Sequence, residues 1–567
     1  MDNQKLDNLL NLALDSSEEE LEKSEELGVG YNPEERTWDL IVKYSGDISS
    51  LADMGIIIFD LLNEYAILTV PQHLIEWLSR LPEIEYIEKP KRLFFALNQG
   101  KSASCITYVQ DTGKNLSGRG VIMGIIDSGI DYYHEDFRNE DGSTRILYLW
   151  DQVLDRIFTE EEINEALNAG ERTAARRIVP SVDASGHGTA VAGIAAGNGR
   201  ESRGRYRGVA YESPLVIVKL GVPEEGGFPR TTELMKAVDY VVKTGVRLQM
   251  PAAVNLSFGN TYGSHDGTSL VETFLDDISN YGRTSIVAGT GNEGNTGGHT
   301  SGVLRMGETE LVELSAAPYE TGFSVQIWKE YVDSFTISLI TPSGEVLSVT
   351  DQGGGNRTLR YGQTRILVFY GEPSPYSQAQ EIYLDFQPVD LYIDSGIWTF
   401  RLEPQHIVSG SYDMWLPSSN ILNASTKFLR PTPDITLTIP STAAQVISVG
   451  AYNSRYQSYA DFSGRGYTRV TNQVKPDLAA PGVNIMTANS GGGYETVTGT
   501  SFASPFVAGS AALMMEWGII EGHDPFLYGE KIKAYLRRGA RQLPGYDVWP
   551  NPQLGYGALC LRDSFPG

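Results

Sequence analysis

Apolar and polar positions change rhythm along this chain, and each change marks a different kind of element. Residues 36 to 95 read as strand (WDLIVKYS), helix (ISSLADMG), strand (IIIFDLL), strand (YAILTVP), helix (PQHLIEWLSRL) and strand (IEYIEKP). This β-α-β-β-α-β order predicts a small ferredoxin-like unit. The stretch before it, MDNQKLDNLLNLALDSSEEELEKSEEL, is acidic and is expected to be a frayed helix or a tail over residues 1 to about 32. Beyond residue 105 the rhythm changes. VIMGIID and SIVAGTGN are unbroken apolar runs, as in strands buried on both faces. SGHGTAVAGIAAG and SFASPFVAGSAALMMEW are small-residue helices entered from Gly turns. From about residue 303 strict alternation takes over: SVQIWKEY, SFTISLIT, RTLRYG, TRILVFYG, EIYLDFQ, GIWTFRLEP and SYDMWLP are separated by turns. Six or seven such strands predict a sandwich or jelly roll. The earlier pattern resumes at about residue 438 with IPSTAAQVISVGAYN.

The chemistry sits where the apolar runs end. Asp127 closes VIMGIID, at the carboxyl end of a buried strand, where open α/β sheets meet their ligands. His187 opens a helix whose small neighbours leave an imidazole room; of the seven histidines it alone begins a helix of this kind. Ser501 opens the helix 501–517, where free N–H groups and the helix dipole favour a developing negative charge. Pro505 falls early enough in that helix to be tolerated. Asn292, after SIVAGTG, offers a side-chain amide as a second oxyanion donor. A serine hydroxyl needs a base to become a nucleophile, and the base needs an orienting carboxylate. Alone, each residue reads as a cap or a turn; together and in the order Asp, His, Ser they make a catalytic triad.

These motifs, GIIDSG, SGHGTAVAG, AGTGNEGN and GTSFASP, resemble those of the subtilisin-like serine proteases (subtilases, S8 type) from about residue 105 to the end, with one large interruption. The resemblance implies a parallel sheet flanked by helices. It makes Leu220 and Gly221 of SPLVIVKLG, and Ser257, Phe258 and Gly259 of AVNLSFGN, the substrate-lining residues that pair with a peptide as β-strands. The terminal LGYGALCL resembles the family's closing strand. The ferredoxin-like unit resembles the family's propeptide, a folding chaperone and inhibitor. The expected domains are therefore 1–99 (tail and propeptide), 100–302 and 438–567 (catalytic), and 303–437 (insert). Self-cleavage is expected between Gln99 and Gly100, with bonds from Asn98 to Ser104 as alternatives. A propeptide, a jelly-roll-like insert and a Gln at the cleavage site resemble the germination-specific Csp proteases of spore-forming clostridia. That resemblance implies a propeptide retained after cleavage and, as substrate, the pro-form of a cortex-lytic hydrolase.

Composition narrows the setting. A net charge of −26 argues against nucleic acid and anionic membranes as partners. No run is expected to cross a bilayer. The N-terminus lacks a basic region followed by an apolar core, so no signal peptide is expected and synthesis is expected inside the cell; the resemblance to the Csp proteases implies packaging in the spore. Two cysteines, Cys105 and Cys560, leave no disulfide framework to be expected. Subtilases often hold calcium after the His helix, but here that loop is GNGRESRGRYRG, with Arg200, Arg203, Arg205 and Arg207. Guanidiniums do not suit a hard cation that needs oxygen ligands. No calcium or other cofactor is expected; Asp136 would be a remnant ligand, and the insert would supply rigidity instead. Two other readings stand beside this one: an intracellular subtilase of general protein processing, and a binding protein whose catalytic groups are occluded. Neither HExxH spacing nor a cysteine motif supports a metal or thiol hydrolase.

Overall fold

The computed structural model describes residues 4–24, 26–91, 94–95, 103–222, 229–349 and 357–566. It divides into two compact units. One comprises Leu93–Gly259, Val271–Gly294 and Thr436–Gly567; the other comprises Met1–Arg92, Asn260–Leu270 and Asn295–Ile435.

The first unit is built on a nine-stranded sheet. At its centre Ile122–Asp127 runs parallel to Leu215–Lys219 on one side and to Ala252–Leu256 on the other. Thr284–Gly289, Ile447–Asn453 and Leu478–Pro481 extend the parallel ladder on one side, and Ile146–Asp151 on the other. Short antiparallel strands fringe both ends. Both faces are covered, which is why the central strands carry unbroken apolar runs. The helices His187–Ala196 and Thr500–Met515 are buried along their whole length. Small residues permit this: a methyl at Gly509 would lie 3.0 Å from the Ala195 carbonyl oxygen. The run Thr500–Ile520 is long and apolar enough to cross a membrane by length and composition, contrary to the expectation that no run is. Most of it is buried inside this unit, as in the core helix of a soluble fold.

Two further expectations for this unit are corrected. Cys105 and Cys560 are paired, with Cα atoms 4.8 Å apart across 455 residues of sequence. Two cysteines cannot build a framework of several bridges, but folding brings this distant pair within reach of one. Among the described residues the expected closing strand makes only isolated bridges, Gly555 with Leu478 and Asn551, and Ala558 with Ala479 and Arg541, and its end turns into the helix Leu561–Ser564.

In the second unit the ferredoxin-like order appears as expected. Thr37–Tyr44 pairs antiparallel with Tyr65–Pro71 and Ile84–Glu88, and Ile57–Asp60 pairs with Tyr65–Pro71. Its first helix is a 3-10 turn, Ser49–Met54, ended by Gly55. The residues before it are not a tail. Helix Asn8–Asp15 is capped by Asp7 and buries Leu9, Leu10, Leu12 and Ala13; Glu18–Lys23 carries a capping box from Ser17 to Glu20. The acidic run fills the first turn of the second helix with Glu18, Glu19 and Glu20, where carboxylates are favoured, and LDNLLNLAL supplies an apolar face to the first.

The same unit holds a β-sandwich. One antiparallel sheet of six strands contains His299–Val303, Ser411–Trp415, Phe323–Glu330, Ala379–Pro388, Thr364–Tyr370 and Arg357–Tyr361. The other, of five, contains Val346–Ser348, Ser334–Ile340, Gly396–His406, Glu310–Ala316 and Lys427–Phe428. Alternate residues such as Ile337, Leu339, Phe400, Leu402, Val325 and Leu384 meet between them. The sandwich begins at His299, slightly earlier than the expected residue 303.

Candidate active site

Three parallel strands and two helices of the first unit converge on one place. Asp127 is the last residue of the central strand and is fully buried. Its Oδ1 accepts from Ser128 N (2.7 Å) and faces His187 Nδ1 at 2.6 Å. Among the described residues the other oxygen, Oδ2, has no hydrogen-bond partner. A buried carboxylate so placed assigns the proton of the neutral imidazole to Nδ1 and leaves Nε2 to act as base. It also stabilises the cation that forms when His187 takes a second proton.

His187 starts its helix behind Gly186, whose φ of +76° suits glycine. The turn is locked by Asp183, a residue the sequence reading passed over. Asp183 accepts from Gly186 N (3.0 Å), Thr189 N (2.8 Å), Thr189 Oγ1 (2.6 Å) and Ser128 Oγ (2.8 Å). One carboxylate thereby ties the Asp127 strand end to the His187 helix. The ring of Phe502 lies 5.1 Å from that of His187.

Ser501 lies in the first turn of its helix. Pro505 has no N–H for the Ser501 carbonyl four residues back, and Ser257 Oγ donates to that carbonyl instead (2.9 Å). In return Ser501 Oγ donates to the Ser257 carbonyl at 2.8 Å. The nucleophile is thus held against the end of strand Ala252–Leu256, beside the segment expected to bind substrate. Asn292 is oriented by Thr500, whose N and Oγ1 both lie 3.1 Å from Asn292 Oδ1. With Oδ1 so engaged, Nδ2 is the end of the carboxamide left to donate to an oxyanion formed at the neighbouring serine.

Of the expected substrate residues, Phe258 and Gly259 form a short strand. It pairs antiparallel with Phe94–Phe95, the segment that follows the ferredoxin-like fold: Phe258 opposes Phe95 and Gly259 opposes Phe94. Ser257 directly precedes it. Among the described residues Leu220 and Gly221 join no ladder; they lie just past the strand Leu215–Lys219, with Leu220 N donating to the Asp127 carbonyl (2.8 Å). Gln99 and Gly100 lie outside the described residues.

The loop after the His187 helix does not fit calcium. Both oxygens of Asp136 are engaged by the Tyr494 hydroxyl (2.9 and 2.8 Å), and Oδ1 also accepts from Glu201 N (3.0 Å). The Asp136 carbonyl accepts from Asn198 N (3.0 Å) and Arg145 Nη1 (3.2 Å). Arg200 and Arg138 both pair with Glu135. A phenol and guanidiniums thus occupy the oxygen donors that a hard cation would need. His134 completes the clasp, with Nε2 at 2.9 Å from the Gly493 carbonyl and 3.2 Å from Glu201 Oε2.

The chain is similar to several known proteins. A model of the subtilase family matches residues 118–355 and 430–557, and one of the Csp protease B prodomain matches residues 4–91. The chain is 36% identical to the solved structure of the Clostridium perfringens CspB protease, covering 81% of this chain and 95% of that one with a TM-score of 0.76. It is 24% identical over 471 residues to the minor extracellular protease Vpr of Bacillus subtilis (strain 168), covering 79% of this chain. It is also 24% identical over 476 residues to the PII-type proteinase of Lactococcus lactis subsp. cremoris, covering 76% of this chain. The chain spans 52% of the length of Vpr and 24% of that of the lactococcal proteinase.

Proposed function

Because the chain belongs to the subtilase family, we propose that it is a serine endopeptidase that severs its own propeptide and then activates the zymogen of a spore cortex-lytic hydrolase at germination. The observation that carries this reading is the site itself: Asp127, His187 and Ser501 on a parallel sheet, with Asn292 beside the serine. The Ser501 hydroxyl turns from the Ser257 carbonyl and passes its proton to His187 Nε2 as Oγ attacks the scissile carbonyl. Asp127 stabilises the imidazolium. The oxyanion is met by Asn292 Nδ2 and by N–H groups at the helix start. His187 returns the proton to the departing amine, leaving an acyl-enzyme. Water, deprotonated by the same histidine, then releases the acid and restores Ser501.

Self-processing is supported by the ladder between Phe94–Phe95 and Phe258–Gly259, which brings the chain leaving the propeptide onto the substrate strand. We place the cut between Gln99 and Gly100. Retention of the cut propeptide, and storage of the pair in the spore, fit the way its core continues into the sandwich, which we read as jelly-roll-like. Leu9, Leu10 and Trp38 share one cluster with Leu367, Phe369 and Tyr383. Polar contacts flank that cluster: Asn8 Nδ2 to Glu381 Oε2 (3.1 Å), Gln387 Nε2 to the Glu20 carbonyl (2.9 Å) and Lys23 Nζ to the Val389 carbonyl (3.1 Å). The likeness to a CspB protease and the matching prodomain support the germination role.

The test mixes purified protein, or its Ser501→Ala form, with the pro-form of a cortex-lytic hydrolase and, separately, with casein. Cleavage of the pro-enzyme at one bond by wild type alone, with casein spared, is expected. Equal degradation of both substrates would instead favour general protein processing. Failure to cut either, with Ser501 refractory to an active-site phosphonate before and after mild proteolysis, would favour an occluded binding protein.

A further inference from the structure

Glu495 lies in the strand Tyr494–Val497, which pairs antiparallel with Ile485–Ala488 and leads into the Ser501 helix. Its neighbour Tyr494 is occupied: the phenol donates to Asp136 and accepts from Ser202 N (3.1 Å). Side chains alternate along a strand, so Glu495 is sent the other way. There it reaches the turn that carries the catalytic histidine. A methyl built on Gly186, the residue before His187, would lie 4.0 Å from Glu495 Oε1 and 3.4 Å from Ser490 Cβ.

This carboxylate is half-buried, yet among the described residues it makes no hydrogen bond and no ion pair. Burial and the like charge of Asp183 push its carboxyl above the usual range. Asp183 itself is spent on the turn, accepting from Gly186 N and Thr189. The cations of the same region are engaged elsewhere, Arg172 with Asp131 (2.8 Å) and Lys219 with Asp151 (3.3 Å). A carboxylate partly withdrawn from water and lacking a counter-charge is costly unless a cation arrives from outside the chain.

A peptide held upstream of the scissile bond by Phe258–Gly259 passes Ser501 and leaves by way of His187, which hands a proton to the departing amine. Glu495 stands at that exit. We propose that Glu495 is a specificity-determining residue for the leaving-amine half of the substrate, selecting a Lys or Arg side chain within the first two residues past the bond. An ammonium or guanidinium there supplies the missing counter-charge, and the bound peptide strengthens the pair by excluding water. An acidic side chain would instead add a further like charge beside Glu495 and Asp183. The chain's own sequence fits this preference, because Gly100 and Lys101 are the first two residues past the expected self-cleavage bond. The inference rests on the endopeptidase reading and deepens it.

The experiment measures kcat/KM of the full-length protein, Glu495→Gln and Glu495→Lys on three peptides: FFALNQGKSAS and its forms with Ala or Glu in place of the Lys. Wild type is expected to favour the Lys peptide over the Glu peptide by about tenfold at low salt, with Ala between them. Added salt should narrow the gap. Glu495→Gln should level the three peptides, and Glu495→Lys should invert their order. If wild type treats the three alike, the inference is overturned while the endopeptidase reading stands. The same holds if Glu495→Gln lowers all three by one factor and leaves their ratios unmoved, because Glu495 would then act on His187 and not on the substrate. If wild type cuts none of the peptides, the endopeptidase reading falls and takes this inference with it.

Discussion

At Asn292 the backbone and hydroxyl of Thr500 occupy one end of the carboxamide, and this decides what the other end can do. Asn292→Ala removes the oxyanion donor and should lower kcat by about 10²–10³-fold with KM little changed, a magnitude measured for the equivalent amide of a subtilisin and adopted here. Thr500 acts one step back, as a positioning residue. Thr500→Val loses the Oγ1 bond but keeps the backbone N–H. It should lower kcat about tenfold at unchanged KM, and Thr500→Ser should restore it; a merely structural role would move stability without this split. The placement of Asp127, His187 and Ser501 was legible in the sequence, because each ends a strand or lies at a helix start and so carries a local signature. The roles of Asp183 and Thr500 were not, since Asp183 works by reaching Ser128 and Thr500 by reaching Asn292, both far along the chain. The Asp-x-x-Gly-His spacing of VDASGHG was the one available hint for Asp183. The cysteine pair shows the same limit: nothing near Cys105 or Cys560 indicates that folding sets their Cα atoms 4.8 Å apart.

Among elements, those that alternate strictly were read almost to the residue. TRILVFYG became Thr364–Tyr370, and YAILTVP became Tyr65–Pro71. The N-terminal helices were misread because charge dominates their composition while their stability comes from tertiary burial. What the sequence could not disclose is where the sandwich strand Ala379–Pro388 places Glu381. This side chain is buried with Asp7, Glu88 and Lys91 of the propeptide and accepts from Asn8 Nδ2 and the Tyr262 hydroxyl (2.5 Å). Burial, opposed by those two hydrogen bonds and aided by the charge of Asp7, pushes its pKa up from 4.5 to about 7. Because the folded value is the higher one, the stabilising contribution is complete below 4.5 and is lost as pH rises through about 7. The span corresponds to about 3 kcal/mol at most. Propeptide and sandwich should therefore hold together more firmly at pH 5 than at pH 8. Thermal unfolding at the two pH values should show a Tm difference that shrinks in Glu381→Gln; an unchanged difference would mean that another group sets the slope.

For the whole molecule, the order of the motifs proved more informative than any one of them. Asp127, His187, Asn292 and Ser501 come from four separate segments, and the parallel sheet, whose strands end at one edge, gathers them into one site. The insertion between Asn292 and Ser501 leaves that logic intact, because Thr284–Gly289 and Ile447–Asn453 remain ladder neighbours across it. The assembled site is expected to cut its own chain, and intact mass with N-terminal sequencing of the wild-type protein beside Ser501→Ala tests this. A new N-terminus at Gly100 is expected in wild type only, with the released propeptide co-purifying. A wild-type chain recovered uncut, or a Ser501→Ala chain cut at the same bond, would contradict it.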